Sequence, residues 1–384
     1  LLPGRARTPG RAAGGSACRI FPTETLLRQP ARADSCLENR IIQGLRVMIP
    51  LLRPSIAAAV ALFAAGAAVA EPTQYPLVLE NCGSEVTFAK APTRAVALGQ
   101  NSAEILLLLG LEDRVAASAF WPTKVLPELA AANEKVKLLT VEQPTLEAIL
   151  AEEPDFVAAQ LPLLMGPDSK VSKREDFAAL DIPAYLSPGV CATKQDTKDI
   201  YGSRAALWNM DLLYQEIDEL SRIFDVQDRG QALIADFKKR EADLRARFKP
   251  NPELSFLFWF SSPSAADDAY LGGKNSASGF IADVLGGHNA IDAEAEWPTV
   301  GWEGIIGADP TVIVAAALDR NRWDLDKAET KIAFLKSDPA ASQMEAVQNG
   351  RIVVMDGAAM NPTIRTIYGA EEVARQLEGL GLDK

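Results

Sequence analysis

The sequence predicts an α/β protein of two lobes, each with a mainly parallel sheet flanked by helices, joined by a long helical spine. Three observations carry that prediction. Short apolar runs alternate with helix-like segments from Arg94 onward and again after Pro252, residues 198–248 between the two sets hold almost no strand signal, and one residue pattern occurs once in each set. With 384 residues, 48% of them hydrophobic, the chain is long and apolar enough for two domains with cores of their own.

In the first set, RAVALG (Arg94–Gly99) reads as a buried strand and SAEILLLLGL as the helix after it, with Ser102 as its N-cap. RVAASA, KLLT, DFVAAQ and PAYLS follow, each separated by a helical or turn segment, in the rhythm of a parallel sheet with helices on its faces. The second set reads LSFLFWFS, AYLGG, TVIVAAA and RIVVMD. Between the sets, RGQALIADFKKREADLRARF places Leu233, Ile234, Phe237, Leu244 and Phe248 close to helical spacing, with Asp228 as N-cap and Pro250 ending the run. Such a segment is either one more surface helix or a spine between lobes; a helical connector resists bending, whereas loop crossovers allow wide hinge closure. The expected boundaries are 71–197 for the first lobe, 198–249 for the connector and 250–384 for the second lobe.

The repeated pattern is LEAILAEEPDFVAA (Leu146–Ala159) and WEGIIGADPTVIVAA (Trp302–Ala316). In each, a Glu is followed by an aliphatic pair, an acid, a Pro that stops the helix and an apolar strand. Glu147 and Glu303 therefore sit in the first turns of two short helices, where the macrodipole favours an anion by about 0.3–1 kcal/mol. That effect accounts for an acid near a helix start but not for the same place in both lobes. Lobes related by a pseudo-two-fold would present one carboxylate each on a shared outer face, which suits docking onto a symmetric partner.

Residues 48–70, MIPLLRPSIAAAVALFAAGAAVA, combine a start-like Met, one Arg, an apolar run and Ala-Val-Ala before Glu71, the pattern of a cleaved secretory signal peptide. An uncleaved anchor is the alternative, though the run is short and Ala-rich for a membrane span. Residues 1–47, rich in Arg, Pro and Gly and without periodicity, read as sequence upstream of the true start and are set apart from the fold. Neither later cysteine follows a lipobox-like run, so a free periplasmic protein is expected. There Cys82 and Cys191 would meet an oxidising compartment, and a bridge between them would close a loop of roughly 110 residues, worth about 4–5 kcal/mol in the chain-entropy model. Two buried free thiols are the other possibility.

Of 39 basic and 51 acidic residues, nine Arg and three acids fall in residues 1–70, which leaves the remainder near −18. A surface that acidic repels nucleic acid and anionic lipid and favours a basic protein partner.

The chain resembles the periplasmic binding proteins that serve ABC importers for iron-siderophores and cobalamin. The resemblance covers nearly all of residues 75–384 and is carried by TFAKAPTRAVALGQNSAEILLLLGLEDRVAASAFW, PTLEAILAEEPDFVAA, LGGKNSASGFIADVLGGHNAI, WPTVGWEGIIGADPTVIVAA and AVQNGRIVVMDG, in that order. It implies two lobes joined by a long helix, and one Glu per lobe that meets Arg residues on the two permease subunits; by motif these are Glu147 and Glu303.

An enzyme finds little support. The one histidine, His288 in LGGHNAI, has no second His for a zinc or iron cluster and no Gly-x-Ser-x-Gly elbow for a triad; its LGGH context reads as a helix end with a Gly cap. GGKNS lacks the first Gly of a P-loop, and no dinucleotide fingerprint follows a strand. With no resident cofactor expected, the cargo reads as a metal already wrapped in a chelator, held by aromatic walls and a few fixed charges. Ligands of open α/β sheets sit at the carboxyl ends of strands. That rule selects Gln100, Asn101, Phe120, Trp121 and Gln160 in the first lobe, and Trp259, Phe260, Tyr270, Arg320, Arg322 and Arg365 in the second; Trp297, before the second repeat, faces either the cleft or the neighbouring lobe. Each has a plain alternative: Trp259 and Phe260 as core, the three Arg as surface ion pairs, whereas Trp121, directly before Pro122, is expected to be exposed in a loop. The expectation is a monomeric periplasmic solute-binding protein that takes a ferric siderophore, with cobalamin, haem or another chelate as alternatives, and a periplasmic enzyme or a receptor-coupled sensor on the same fold as competing classes.

Overall fold

The computed structural model describes residues 71–191, 202–320 and 322–383. The expected signal peptide and the segment upstream of it lie outside the described residues. The fold opens with an antiparallel hairpin that the apolar-run reading passes over, β1 (Leu77–Asn81) and β2 (Ser84–Phe88). Its signature is alternation: Leu77, Leu79, Val86 and Phe88 are buried, and Cys82 and Gly83 take positive φ at the turn, as a two-residue primed turn requires.

Five apolar runs then form the first sheet. These are β3 (Ala95–Leu98), β4 (Val115–Ala119), β5 (Lys137–Thr140), β6 (Phe156–Ala159) and β7 (Ala184–Leu186), in the order β5-β4-β3-β6-β7 and parallel throughout. The second sheet contains β8 (Ser255–Ser261), β9 (Ala269–Leu271), β10 (His288–Asn289), β11 (Thr299–Val300), β12 (Val312–Ala317) and β13 (Ile352–Asp356). Its order is β11-β9-β8-β12-β13, with the short β10 paired to β8; β12 runs parallel to β8 and β13, and β9 is antiparallel to both neighbours. Numbered along the chain, the five strands of each path read 3-2-1-4-5. The two lobes therefore repeat one strand order, with the second strand reversed in the second lobe, and the helices that carry the shared pattern, Leu146–Leu150 and Trp302–Ala308, both lead into the fourth strand.

The first long helix, Gln100–Leu108, starts directly after Gly99. Gly99 has φ 113°, and a Cβ there would fall 2.4 Å from that of Gln160, so the strand-to-helix turn needs glycine. Ser102 is consequently not the cap: it lies inside the first turn with its hydroxyl buried and unpartnered.

The connector is a helical hairpin, Asp211–Ile223 followed by Gln227–Arg247, turned at Asp225 with φ 57°. Val226 occupies the N-cap of the second arm, which places Asp228 inside the first turn and not at the cap. That arm has 21 residues and spans about 31 Å at the α-helical rise. Its buried residues, Gly230, Phe237 and Leu244, recur every seventh position and form one narrow seam. At Gly230 a Cβ would stand 2.5 Å from Ser221, so glycine lets the two arms close on each other.

Candidate functional site

Carboxyl ends of strands from both sheets open onto one cleft of ≈ 280 Å³. Phe120 and Pro122 enter it after β4, and Leu161 after β6. Phe260 and Tyr270 come from β8 and β9, Trp297 from the approach to β11, Arg320, Arg322 and Trp323 from the segment after β12, and Asn361 from beyond β13. The wall is largely aromatic. Tyr270 and Trp323 stack with centroids 5.7 Å apart and planes within 7°, and Phe260 lies 4.7 Å from Trp297. The Arg320 guanidinium sits 5.1 Å from the Phe260 ring and 5.2 Å from that of Trp323, and Arg322 sits 5.8 Å from Trp323. Cation–π contacts of this kind fix a charge beside a flat apolar face.

Phe120 reaches the cleft through a left-handed backbone, φ 65°, uncommon for an aromatic residue and of a kind that clusters at ligand sites. Its N–H still bonds the Thr140 carbonyl at 3.0 Å, extending the pairing beyond β4. That geometry decides between two consecutive aromatics. Phe120 and Pro122 line the cleft, while Trp121, expected to be an exposed cleft residue, is buried with its indole N–H on Ser118 Oγ at 3.2 Å and lines a separate pocket beside Leu138 and Val141.

The two cationic side chains are both paired. Arg320 donates to Asp326, whose carboxyl burial alone would raise; hydrogen bonds from Arg320 and Ser261 outweigh that and hold it below the usual range. Arg322 pairs with Glu142 of the first lobe at 3.7 Å, both ends exposed, an interaction worth about 0–1 kcal/mol and readily exchanged for another anion.

Several other expected cleft residues are elsewhere. Trp259 is fully buried in the second core, 4.9 Å from Trp302, because strand alternation turns it away from the face on which Phe260 lies. Gln100, Asn101, Gln160 and Arg365 do not line the cleft; they are buried and join elements. Gln100 donates to Lys124 O, Gln160 accepts the Asn101 N–H, and Asn101 Oδ1 accepts the Ile364 N–H at 2.9 Å, linking the lobes. Arg365 donates to Glu104 at 2.8 Å and also to Asp356. Burial holds the Glu104 carboxyl above its ordinary range, against the opposing pull of Arg365. The strand-end rule located these residues, but Asn101 and Arg365 brace the two lobes and Gln100 and Gln160 tie elements of the first lobe together. Trp323, Pro122, Leu161 and Asn361 were missed. Trp323 was findable, since it continues the segment that already supplied Arg320 and Arg322.

Away from the cleft, Glu147 lies in the first turn of its helix behind the N-cap Thr145, and Glu303 in the first turn behind Gly301. Both are exposed and neither joins a salt bridge among the described residues. Cys82 and Cys191 form a disulfide, Cα atoms 5.6 Å apart, that ties the β1–β2 turn to the short helix after β7. His288 is exposed on β10, after Gly286 ends the preceding helix with φ 75°. Among the described residues no cluster of three or more His, Cys, Asp or Glu could hold a metal ion.

Comparisons with known proteins agree on one class. A vitamin B12-binding protein from Vibrio parahaemolyticus serotype O3:K6 is 25% identical over 303 residues, 77% of this chain and 94% of that protein. A periplasmic binding protein from Veillonella parvula superposes with TM-score 0.65 at 22% identity, covering 79% of this chain and 97% of its own. The ABC-type Fe3+-hydroxamate transport system protein from Saccharomonospora viridis gives TM-score 0.61 at 24% identity, covering 80% and 100%. At these identities the structural likeness shows the fold. The periplasmic binding protein family model matches residues 96–359, from β3 to just beyond β13 and so across both sheets: this chain belongs to the periplasmic binding protein family.

Proposed function

We propose that this protein captures a ferric siderophore in the cleft between its lobes and delivers it to an ABC permease. Binding proteins of its family carry small molecules to such permeases and are not enzymes. The observation that carries the finer reading is the wall formed by Tyr270, Trp323, Phe260 and Trp297 with Arg320 and Arg322 against it. In a chain whose charge is −12 overall, two guanidinium groups beside flat rings make a local site for an anionic chelate with conjugated arms.

A corrinoid is the second reading. It is favoured by the vitamin B12-binding relative, and by the pairing of both Arg with carboxylates, which lowers the net charge the cleft presents. Titration of tryptophan fluorescence with a ferric tricatecholate, a ferric trihydroxamate and cyanocobalamin separates the readings. Submicromolar quenching by a ferric siderophore and none by cyanocobalamin is expected; the reverse pattern would replace the proposal with the corrinoid. Export is part of the same proposal, with a mature N-terminus at or next to Glu71, and N-terminal sequencing that found residues upstream of Met48 would overturn it.

A further inference from the structure

Arg320, Arg322 and Trp323 reach the cleft on one connection, between β12 and the helix Ala328–Ser337, and one buried carboxylate organises it from within. Asp326 has no exposed surface and does not line the cleft. Its Oδ1 accepts from Ser261 Oγ at 2.6 Å and Arg320 Nη2 at 3.0 Å; its Oδ2 accepts the backbone N–H groups of Arg322 and Trp323 at 2.8 and 3.1 Å. The Asp326 carbonyl takes the Leu318 N–H at 3.0 Å and closes the base of the connection. Beneath it Lys331, also without exposed surface, donates Nζ to Ala316 O at 2.7 Å. Each of the three residues that this connection sends to the cleft is thus bonded to Asp326 by side chain or backbone.

We infer that Asp326 is a positioning residue for the ligand: without touching it, this carboxylate fixes the Arg320 guanidinium and the backbone of Arg322 and Trp323, and so sets the preference for anionic over neutral chelates. The inference rests on the proposed function for its ligand class.

Charge and position pull in opposite directions here, which makes the test sharp. Asp326→Asn removes a negative charge behind Arg320, so a purely electrostatic role predicts tighter binding of an anion. A positioning role predicts weaker binding, because the amide cannot accept all the donors now converging on the carboxylate. The expected result is a loss of about 10-fold or more in affinity for a trianionic ferric tricatecholate, as for breaking charge-assisted hydrogen bonds, with a smaller change for a neutral ferric trihydroxamate. Hydrogen exchange at the Arg322 and Trp323 amides should accelerate while β8 stays protected. An anionic affinity equal to or above wild type overturns the inference. Ser261→Ala, which removes one neutral donor to Oδ1, should act in the same direction by about 5-fold. If Asp326→Asn does not fold, unchanged affinity and exchange in Ser261→Ala overturn the inference instead. If wild type binds neither probe, the ligand reading has failed, and amide exchange alone decides whether Asp326 holds the connection.

Discussion

Trp323 stacks on Tyr270 and carries both guanidinium groups at its faces, so it is the side chain on which ligand affinity should depend most. Trp323→Ala is expected to weaken ligand binding by about 1–3 kcal/mol, the loss of a large aromatic contact, as measured by fluorescence titration. Trp121→Ala should behave differently. It removes a buried ring and should cost about 3 kcal/mol or more of stability while leaving affinity within roughly 2-fold. Equal loss of affinity in the two variants would place Trp121 back in the site. Glu216 gives a pH-dependent case. Burial pushes its carboxyl up to about 7, with hydrogen bonds from Ser187 and Asn101 pulling the other way. Between the ordinary value of 4.5 and about 7 the folded protein holds a proton there that the unfolded chain has released, so this contribution to stability is present at pH 4.5 and is lost as pH rises through 7. Glu216→Gln imitates the protonated form; its Tm relative to wild type should therefore rise from pH 5 to pH 8, and a difference that did not vary with pH would assign the effect to packing. Residue chemistry at strand ends was legible in the sequence for Phe120, Phe260, Tyr270, Arg320 and Arg322, which converge on one cleft. It was not legible where one backbone torsion chose between neighbours, as at Phe120 and Trp121, or where a polar side chain met a partner more than 250 positions away, as Asn101 meets Ile364.

At the scale of elements, β3, β4, β6 to β9, β12 and β13 were readable because a strand covered on at least one face reads as a short apolar run, and the half-exposed edge strand β5 was readable from Leu138 and Leu139 alone. The hairpin β1–β2 escaped because β1 offers only three apolar residues, Leu77 to Leu79, and β2 alternates Val86 and Phe88 with polar ones, and β10 and β11 because two residues carry no pattern at all. Helix starts were misplaced for a related reason: Gly99 and Val226 end the preceding segments through backbone geometry, which outranked the capping propensity of Ser102 and Asp228. The disulfide acts at this scale, since it fastens the hairpin turn to the end of the first sheet across 109 positions. Cys82→Ser with Cys191→Ser is expected to lower stability by about 2–4 kcal/mol in urea unfolding with ligand affinity unchanged, because neither residue approaches the cleft. A fall in affinity would mean that the first sheet transmits strain to Phe120 and Leu161.

For the whole molecule, the repeated pattern acquires a physical basis in the shared 3-2-1-4-5 order, since both copies lead into the fourth strand of their sheet. A common strand order explains why a short helix, a Pro and an apolar strand recur. It does not explain why an exposed Glu recurs in the first turn of each helix, where about 0.3–1 kcal/mol of dipole stabilisation could come from any nearby acid. We propose that Glu147 and Glu303 meet basic residues on the two subunits of the permease, one lobe to each. Replacing both with Lys should then abolish ligand uptake in cells while ligand affinity and Tm stay nearly unchanged, whereas a purely local role predicts a stability loss of about 1–2 kcal/mol with uptake following it. Each single replacement should reduce uptake, since one lobe would still dock. In reconstituted vesicles the wild-type advantage over the double variant should shrink as salt rises, because charge pairing at a docking surface acts on encounter and is screened. Wild-type uptake by the double Lys variant would remove both residues from the docking surface and leave the repeat as a consequence of topology alone.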